Sequence, residues 1–274
     1  QRQMCIRDRI LKVQPNTVIV LHNGSPVELP WLNDIKGLLE AYLGGQAGGT
    51  AVANILYGKV NPSGKLAETI PLKLSDNPSY LNFGGGEKVE YREGVFVGYR
   101  YYDTKEMGVA YPFGYGLSYT TFACSDLKIS NENPTDKDTI TVSVDVINTG
   151  NMAGKEVVQL YVKDCTSSAI RPEKELKGFE KVFLNPGETK TVTMELDKRS
   201  FAWYNTVLHD WFAASGEYKL LVGTSSRDIH LEGRIHLNSS QELPMHVHMN
   251  TTLGELFRNP KTSETAKELT AKYI

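Results

Sequence analysis

No apolar run in this chain approaches the roughly 18 residues needed to span a bilayer, so no segment reads as a transmembrane helix. Cysteine is scarce, with three residues at 5, 124 and 165. They are odd in number and far apart, which excludes a disulfide framework and the paired spacing of a zinc site. A reducing, cytoplasmic setting follows as the default expectation. Charge of one sign is also lacking. The net charge is −2 over 274 residues, so no strong field draws nucleic acid or an anionic membrane to the surface. An apolar secretory core is missing from the first residues too. Gln1-Arg2-Gln3-Met4-Cys5-Ile6-Arg7-Asp8-Arg9 instead reads as the in-frame translation of a common sequencing-library adapter. Residues 1–9 are therefore set apart from the fold as an assembly artefact.

The length suits about two domains, and a hydrophobic content of 40% suits packed cores rather than disorder. Thr17-Val18-Ile19-Val20-Leu21 is a short β-branched run, expected as a parallel strand buried on both faces. Asn23-Gly24-Ser25-Pro26 ends it with turn chemistry. A short helical segment is expected from Trp31 to Ile35, and a second strand at Leu38 to Leu43. Gly44 and Gly45 break that strand ahead of a small-residue helix from about Gln46 to Tyr57. This alternation is α/β, with only its last elements present, and is assigned to residues 10–75.

Residues 76–118 form an aromatic-rich connecting segment with little periodicity. It carries too much apolar surface to be free linker, and a loop of that length is functional or wraps a neighbour. From 119 to 238 the pattern becomes period two. Thr139 to Val146, Glu156 to Val162, Lys190 to Leu196 and Glu217 to Val222 alternate between Gly- and Pro-containing turns. About seven such strands make a β-sandwich. Residues 239–274 return to helix, with Asn250 or Thr251 as a cap and a second helix from Ser263.

Three runs carry a family resemblance. They are Gly44-Gly45-Gln46-Ala47-Gly48-Gly49 with Asn54 to Leu66, Phe96-Val97-Gly98-Tyr99-Arg100-Tyr101-Tyr102-Asp103-Thr104, and Tyr111-Pro112-Phe113-Gly114-Tyr115-Gly116-Leu117-Ser118-Tyr119-Thr120-Thr121-Phe122. Together they resemble the C-terminal half of glycoside hydrolase family 3, most closely the clostridial type of β-glucosidase, over roughly Thr17 to Leu237. Lys174 to Val182 and Leu184-Asn185-Pro186-Gly187-Glu188 resemble the fibronectin type III-like domain of such enzymes. The resemblance implies an α/β remnant, an all-β fibronectin type III-like sandwich and the start of a helical tail. It implies a retaining enzyme acting on a terminal β-D-glucosyl unit of a β-glucoside or cello-oligosaccharide, with no cofactor or metal. It leaves β-xyloside or N-acetylglucosaminide specificity, and homo-oligomer formation, open.

Retaining glycosidases set two carboxylates about 5 Å apart. In the family, the nucleophilic Asp lies in an N-terminal (β/α)₈ barrel. The acid/base Glu lies in a Glu-Ser-Glu-Gly-Phe-Asp-Arg-like loop ahead of the strand matched by Thr17 to Leu21. No such run occurs here, so the catalytic pair is expected upstream and is assigned to no residue of this chain. Glu90, Arg92, Tyr99 and Arg100 are candidates for the rim of the substrate cleft. An ion-paired strand for the first two, and a domain interface for the last two, are the favoured readings. The Gly44 to Gly49 run lacks the Lys-Ser/Thr of a P-loop, so close packing explains it better than phosphate binding. His246 and His248 are too few for a metal site. Asn23, Asn238 and Asn250 begin glycosylation-type triplets, which carry no weight in a bacterial protein. A free-standing carbohydrate-binding or interaction module is the competing reading, and the first half of the chain speaks against it.

Overall fold

The computed structural model describes residues 2–84, 86–167, 169–243 and 247–273. Helix α1 (Arg2–Val13) opens the chain. None of its described side chains is fully buried, although the Arg7 guanidinium lies 5.3 Å from the centre of the Trp31 ring. Strands β1 (Val18–Leu21) and β2 (Gly37–Glu40) pair in parallel, Val18 opposite Gly37 and Leu21 opposite Glu40. A single 3₁₀ turn at Leu32–Asp34 stands where a short helix is expected. Helix α2 (Gly48–Leu56) follows the glycine-rich turn, in which Gly45 takes a φ of +62°.

The parallel pair differs from expectation in one respect. β1 is not buried on both faces: Val18 is 52% exposed and its other residues are half-buried. Two strands cannot cover themselves, and a parallel sheet needs elements on both faces. We therefore expect the amides of Val18 to Leu21 to exchange orders of magnitude faster than those of Val142 to Val146. Hydrogen exchange followed by NMR measures both sets, and equal protection would count against this view of the first 75 residues.

The next elements are short: β3 (Ile70–Pro71), α3 (Tyr99–Thr104) and β4 (Val109–Tyr111), with β3 and β4 antiparallel. The sandwich then begins. Its smaller sheet has the order β5-β6-β9, from β5 (Phe122–Ile129), β6 (Ile140–Asn148) and β9 (Thr189–Leu196). Its larger sheet has the order β13-β12-β7-β8, from β7 (Gly154–Asp164), β8 (Glu175–Leu184), β12 (Gly216–Gly223) and β13 (Ile229–Leu237). The neighbouring strands of both sheets pair antiparallel. A helical turn α4 (Lys198–Phe201) and the hairpin β10 (Trp203–Asn205) and β11 (Asp210–Phe212) join β9 to β12.

Alternation builds the core. Ile140, Val142, Val144 and Val146 of β6 face Val158, Leu160 and Val162 of β7 with Tyr218, Leu220 and Val222 of β12. The intervening residues of β6 are only half-buried, as one-sided sheets require. β7 breaks that rule, because Gln159 and Tyr161 on its other face are buried as well. After the sandwich come α5 (Leu253–Arg258) and α6 (Pro260–Tyr273). The cap of α5 is Thr252, one residue beyond Thr251. Its hydroxyl accepts from the Glu255 amide at 3.2 Å, and the Glu255 carboxylate accepts from the Thr252 amide at 2.7 Å. That reciprocal arrangement satisfies two of the free donors at a helix start.

Candidate functional site

The second buried face of β7 is covered by the aromatic segment. Gly98, at φ +56°, turns the chain into α3. Spacings of three and four residues then place Tyr99, Tyr102 and Asp103 on one buried face of that helix. The Tyr99 ring stacks on Phe113 with centroids 4.6 Å apart and meets Tyr161 of β7 edge-on at 6.0 Å. Its hydroxyl accepts from the Leu176 amide of β8 at 2.7 Å. Arg100 reaches Glu175 at 3.2 Å. Tyr99 and Arg100, two of the four rim candidates, are thus engaged with the sandwich.

Two polar junctions complete the seam. Asp103, buried, accepts from Arg227 Nε at 2.7 Å, and the Lys174 ammonium lies 3.3 Å from its other oxygen. Gln159 donates to the carbonyls of Gly114 at 3.1 Å and Thr224 at 2.6 Å, and accepts from the Tyr161 hydroxyl at 2.6 Å. Beside them, Arg171 donates to Asp164 at 3.1 Å, Glu175 at 3.0 Å and the Phe201 carbonyl at 2.9 Å. Burial alone would push the Glu175 carboxyl up. The charges of Lys177, Arg100 and Arg171 and an Arg171 hydrogen bond outweigh it and hold the group below the usual carboxylate range. Lys65 links the α/β part to the sandwich in the same manner, 2.8 Å from Glu156 and donating to the Gly116 carbonyl at 2.9 Å.

Glu90 and Arg92 stand apart from this seam. They are exposed and form an ion pair with each other. Arg92 lines a groove of about 400 Å³ together with Asn82, Glu93, Phe96, Tyr101 and Lys105. Of the four rim candidates, Arg92 alone lines it. Of the other lining residues, Glu93 follows directly on Arg92 in the same short run, and Phe96 and Tyr101 belong to one of the runs that carry the family resemblance, whereas Asn82 and Lys105 follow no helix or strand period. Aromatic density in 76–118 was the available signal. Sequence reasoning also passed over a carboxyl cluster after β2. Glu40 accepts from the Tyr42 amide at 3.0 Å, and Glu68 accepts from the Tyr42 hydroxyl at 2.9 Å. Burial raises Glu68, with a Tyr42 hydrogen bond pulling the other way. Tyr42 sits at φ +43°, a strained position for a residue with a side chain.

Among the described residues, no group of three or more His, Cys, Asp or Glu is arranged to hold a metal. His248 is exposed, and His246 lies outside the described residues. Among them too, no helix is long and apolar enough to cross a membrane.

Two protein-family models match the chain. The glycosyl hydrolase family 3 C-terminal domain matches residues 1–119, and the fibronectin type III-like domain matches residues 156–226. "Thermostable beta-glucosidase B" of Acetivibrio thermocellus is 57% identical over 93% of this chain and 34% of its own length. An "Exo-alpha-(1->6)-L-arabinopyranosidase" of Bifidobacterium breve is 48% identical over 83% of this chain and 30% of its own. A solved structure of a Bifidobacterium adolescentis GH3 beta-glucosidase superposes with a TM-score of 0.87 at 44% identity, over 96% of this chain and 39% of that one. The chain therefore spans about a third of the length of the curated relatives it matches.

Proposed function

The chain belongs to glycoside hydrolase family 3, and on that premise we propose that it is the bracing C-terminal portion of a retaining β-glucosidase. In this reading the parent enzyme removes terminal β-D-glucosyl units in a bacterial cytoplasm. An Asp in a preceding (β/α)₈ barrel and a Glu ahead of β1 supply the chemistry. The residues described above supply a rigid support for that barrel.

One observation carries the reading. Large apolar side chains stand out to solvent along the first half of the chain: Leu43 and Tyr57 after β2 and α2, then Leu81, Phe83 and Tyr91 in the aromatic segment, each at least 75% exposed. Exposed apolar surface of that extent marks an interaction face. The seam with the sandwich leaves these residues uncovered, and the relatives carry about twice as much further chain as is matched here.

The test is turnover of 4-nitrophenyl β-D-glucopyranoside by the purified chain. We expect no release of nitrophenol above background. Activity that survives purification and vanishes on Glu90→Gln or Glu93→Gln would overturn the assignment of the catalytic pair to a preceding segment. The arabinopyranosidase relative favours a second reading, in which the parent acts on another sugar. At 48% identity, this portion does not decide which glycoside is cleaved.

A further inference from the structure

The short turn between β12 and β13, from Thr224 to Asp228, grips the aromatic segment at three places. The Ser226 amide donates to the Phe113 carbonyl at 2.9 Å. The Thr224 carbonyl accepts from Gln159 Nε2, which also holds the Gly114 carbonyl. Arg227 donates to the Tyr102 carbonyl at 3.3 Å as well as to Asp103. The strand ladder does not fix the shape of this turn, because the register of β12 on β13 shifts between Val222 and Gly223. A side chain fixes it instead. Ser225 is buried, and its hydroxyl accepts from the amides of Arg227 at 3.3 Å and Asp228 at 3.0 Å. Bonds of this kind from a serine hydroxyl to nearby backbone stabilise turns. The three grips on the segment come from the neighbours of Ser225. The closed turn also carries a cost: Ser226 is fully buried, and its hydroxyl has no hydrogen-bond partner. Helix α3, for its part, has six residues, too few to be stable alone. Its last turn depends on what it rests against.

We propose that the β12–β13 turn is a latch for the aromatic segment: Ser225 sets its closed shape, and its three grips form and break together. The pivot is Tyr99. Its hydroxyl accepts from the Leu176 amide, and its neighbour Arg100 pairs with Glu175. Both partners lie on β8, which β7 separates from β12 in the sheet. Lys174, just ahead of β8, holds the far oxygen of Asp103 and limits how far the end of α3 lifts. With the latch open, the segment stays tethered at β8 while the last turn of α3 and Phe113-Gly114 leave β7 and β12. The two positions make a two-state element of the kind that carries coupling between distant parts of a protein. The latch stands independently of the catalytic reading, since no bond to a substrate is made or broken in it.

The experiment is native-state hydrogen exchange, read by NMR, on the whole 274-residue chain and two variants. The reporters are the amides of Lys105, Met107 and Gly114, which donate to the carbonyls of Tyr101, Tyr102 and Leu66. Ser225→Ala removes the bonds that shape the turn and touches nothing in the segment. All three reporters should then exchange about tenfold faster, by one common factor. The Leu176 amide at the pivot and the amides of Val142 to Val146 in the core should keep their rates. Ser226→Ala removes the stranded hydroxyl, so it should slow the same three reporters at least about threefold. The two variants pull in opposite directions, so the outcome does not rest on one of them folding well. Faster exchange confined to residues 224–228, or reporters that move by unrelated factors, would overturn the latch. So would equal acceleration of Leu176 and the core amides, because segment and sandwich would then open as one body. Reporters that fail to slow in Ser226→Ala would count against it as well.

Discussion

Asp103→Ala should cost about 3 kcal/mol of stability, read as a fall in the urea midpoint with the slope unchanged. The carboxylate is 7% exposed and holds two cations, Arg227 from the turn after β12 and Lys174 ahead of β8. Removing one member of a buried ion pair costs about 3–5 kcal/mol, because the partner's charge stays behind without compensation. The low end applies here, since the Arg227 side chain is 32% exposed and water screens part of its charge. Glu232 is the control. It also contacts two cations, Lys219 and Arg234, but on an open strand face. Glu232→Ala should leave the midpoint where it is. If both substitutions behave alike, burial of the seam is not what makes Asp103 matter. Double substitutions with Arg227→Met and Lys174→Met should recover part of the loss, more for Lys174, whose side chain is 12% exposed.

Gly114→Ala should be as damaging, at about 3–5 kcal/mol, and for two separable reasons. Gly114 sits at φ +80°, where a side chain costs about 1–2 kcal/mol. A Cβ there would also lie 2.1 Å from Gln159 Oε1. The end of a glutamine can normally swing away, but this one is 3% exposed and held by the bonds to Gly114, Thr224 and Tyr161. Moving it strands buried amide atoms at about 1–3 kcal/mol. Gly187 separates the two causes. It has a similar φ of +75° in the turn before β9, and an added Cβ there meets nothing within 4 Å. Gly187→Ala should therefore show the backbone cost alone, about 1 kcal/mol. Thermal unfolding of the two variants side by side measures the difference. Equal losses would mean that the contact between Gly114 and Gln159 contributes nothing.

The sandwich was legible where one face of a strand is wet. Thr139 to Val146 alternates in sequence because β6 buries one side and exposes the other, so its period survives in the residues. Helix α2 was legible from its run of small residues after a glycine turn. α3 was not, since six residues give too few turns for a period to emerge. Nor could its partners be read from sequence. Tyr99 finds Leu176 and Asp103 finds Arg227 across long stretches of chain, and such pairings depend on how strands order in a sheet. For the same reason the sequence favours an interface for Tyr99 and Arg100 without naming what they meet there. β1 misled in the other direction. Its β-branched residues suit burial on both faces, while β2 lies beside it in the sheet and covers neither face.

Strand β7, dry on both sides, bears on how separable the fibronectin type III-like domain is. Its core side belongs to the sandwich, but Gln159 and Tyr161 belong equally to the segment before it. A chain shortened to begin at Thr121 would keep every sandwich strand and still present a wet tyrosine and an unpartnered glutamine where Phe113 and Gly114 had been. The natural cut for grafting or exchanging this domain therefore lies ahead of Phe96, not at the first strand. The unit inherited with the sandwich includes its aromatic strap, and the boundary seen by a sequence pattern is some twenty-five residues later than the boundary seen by packing.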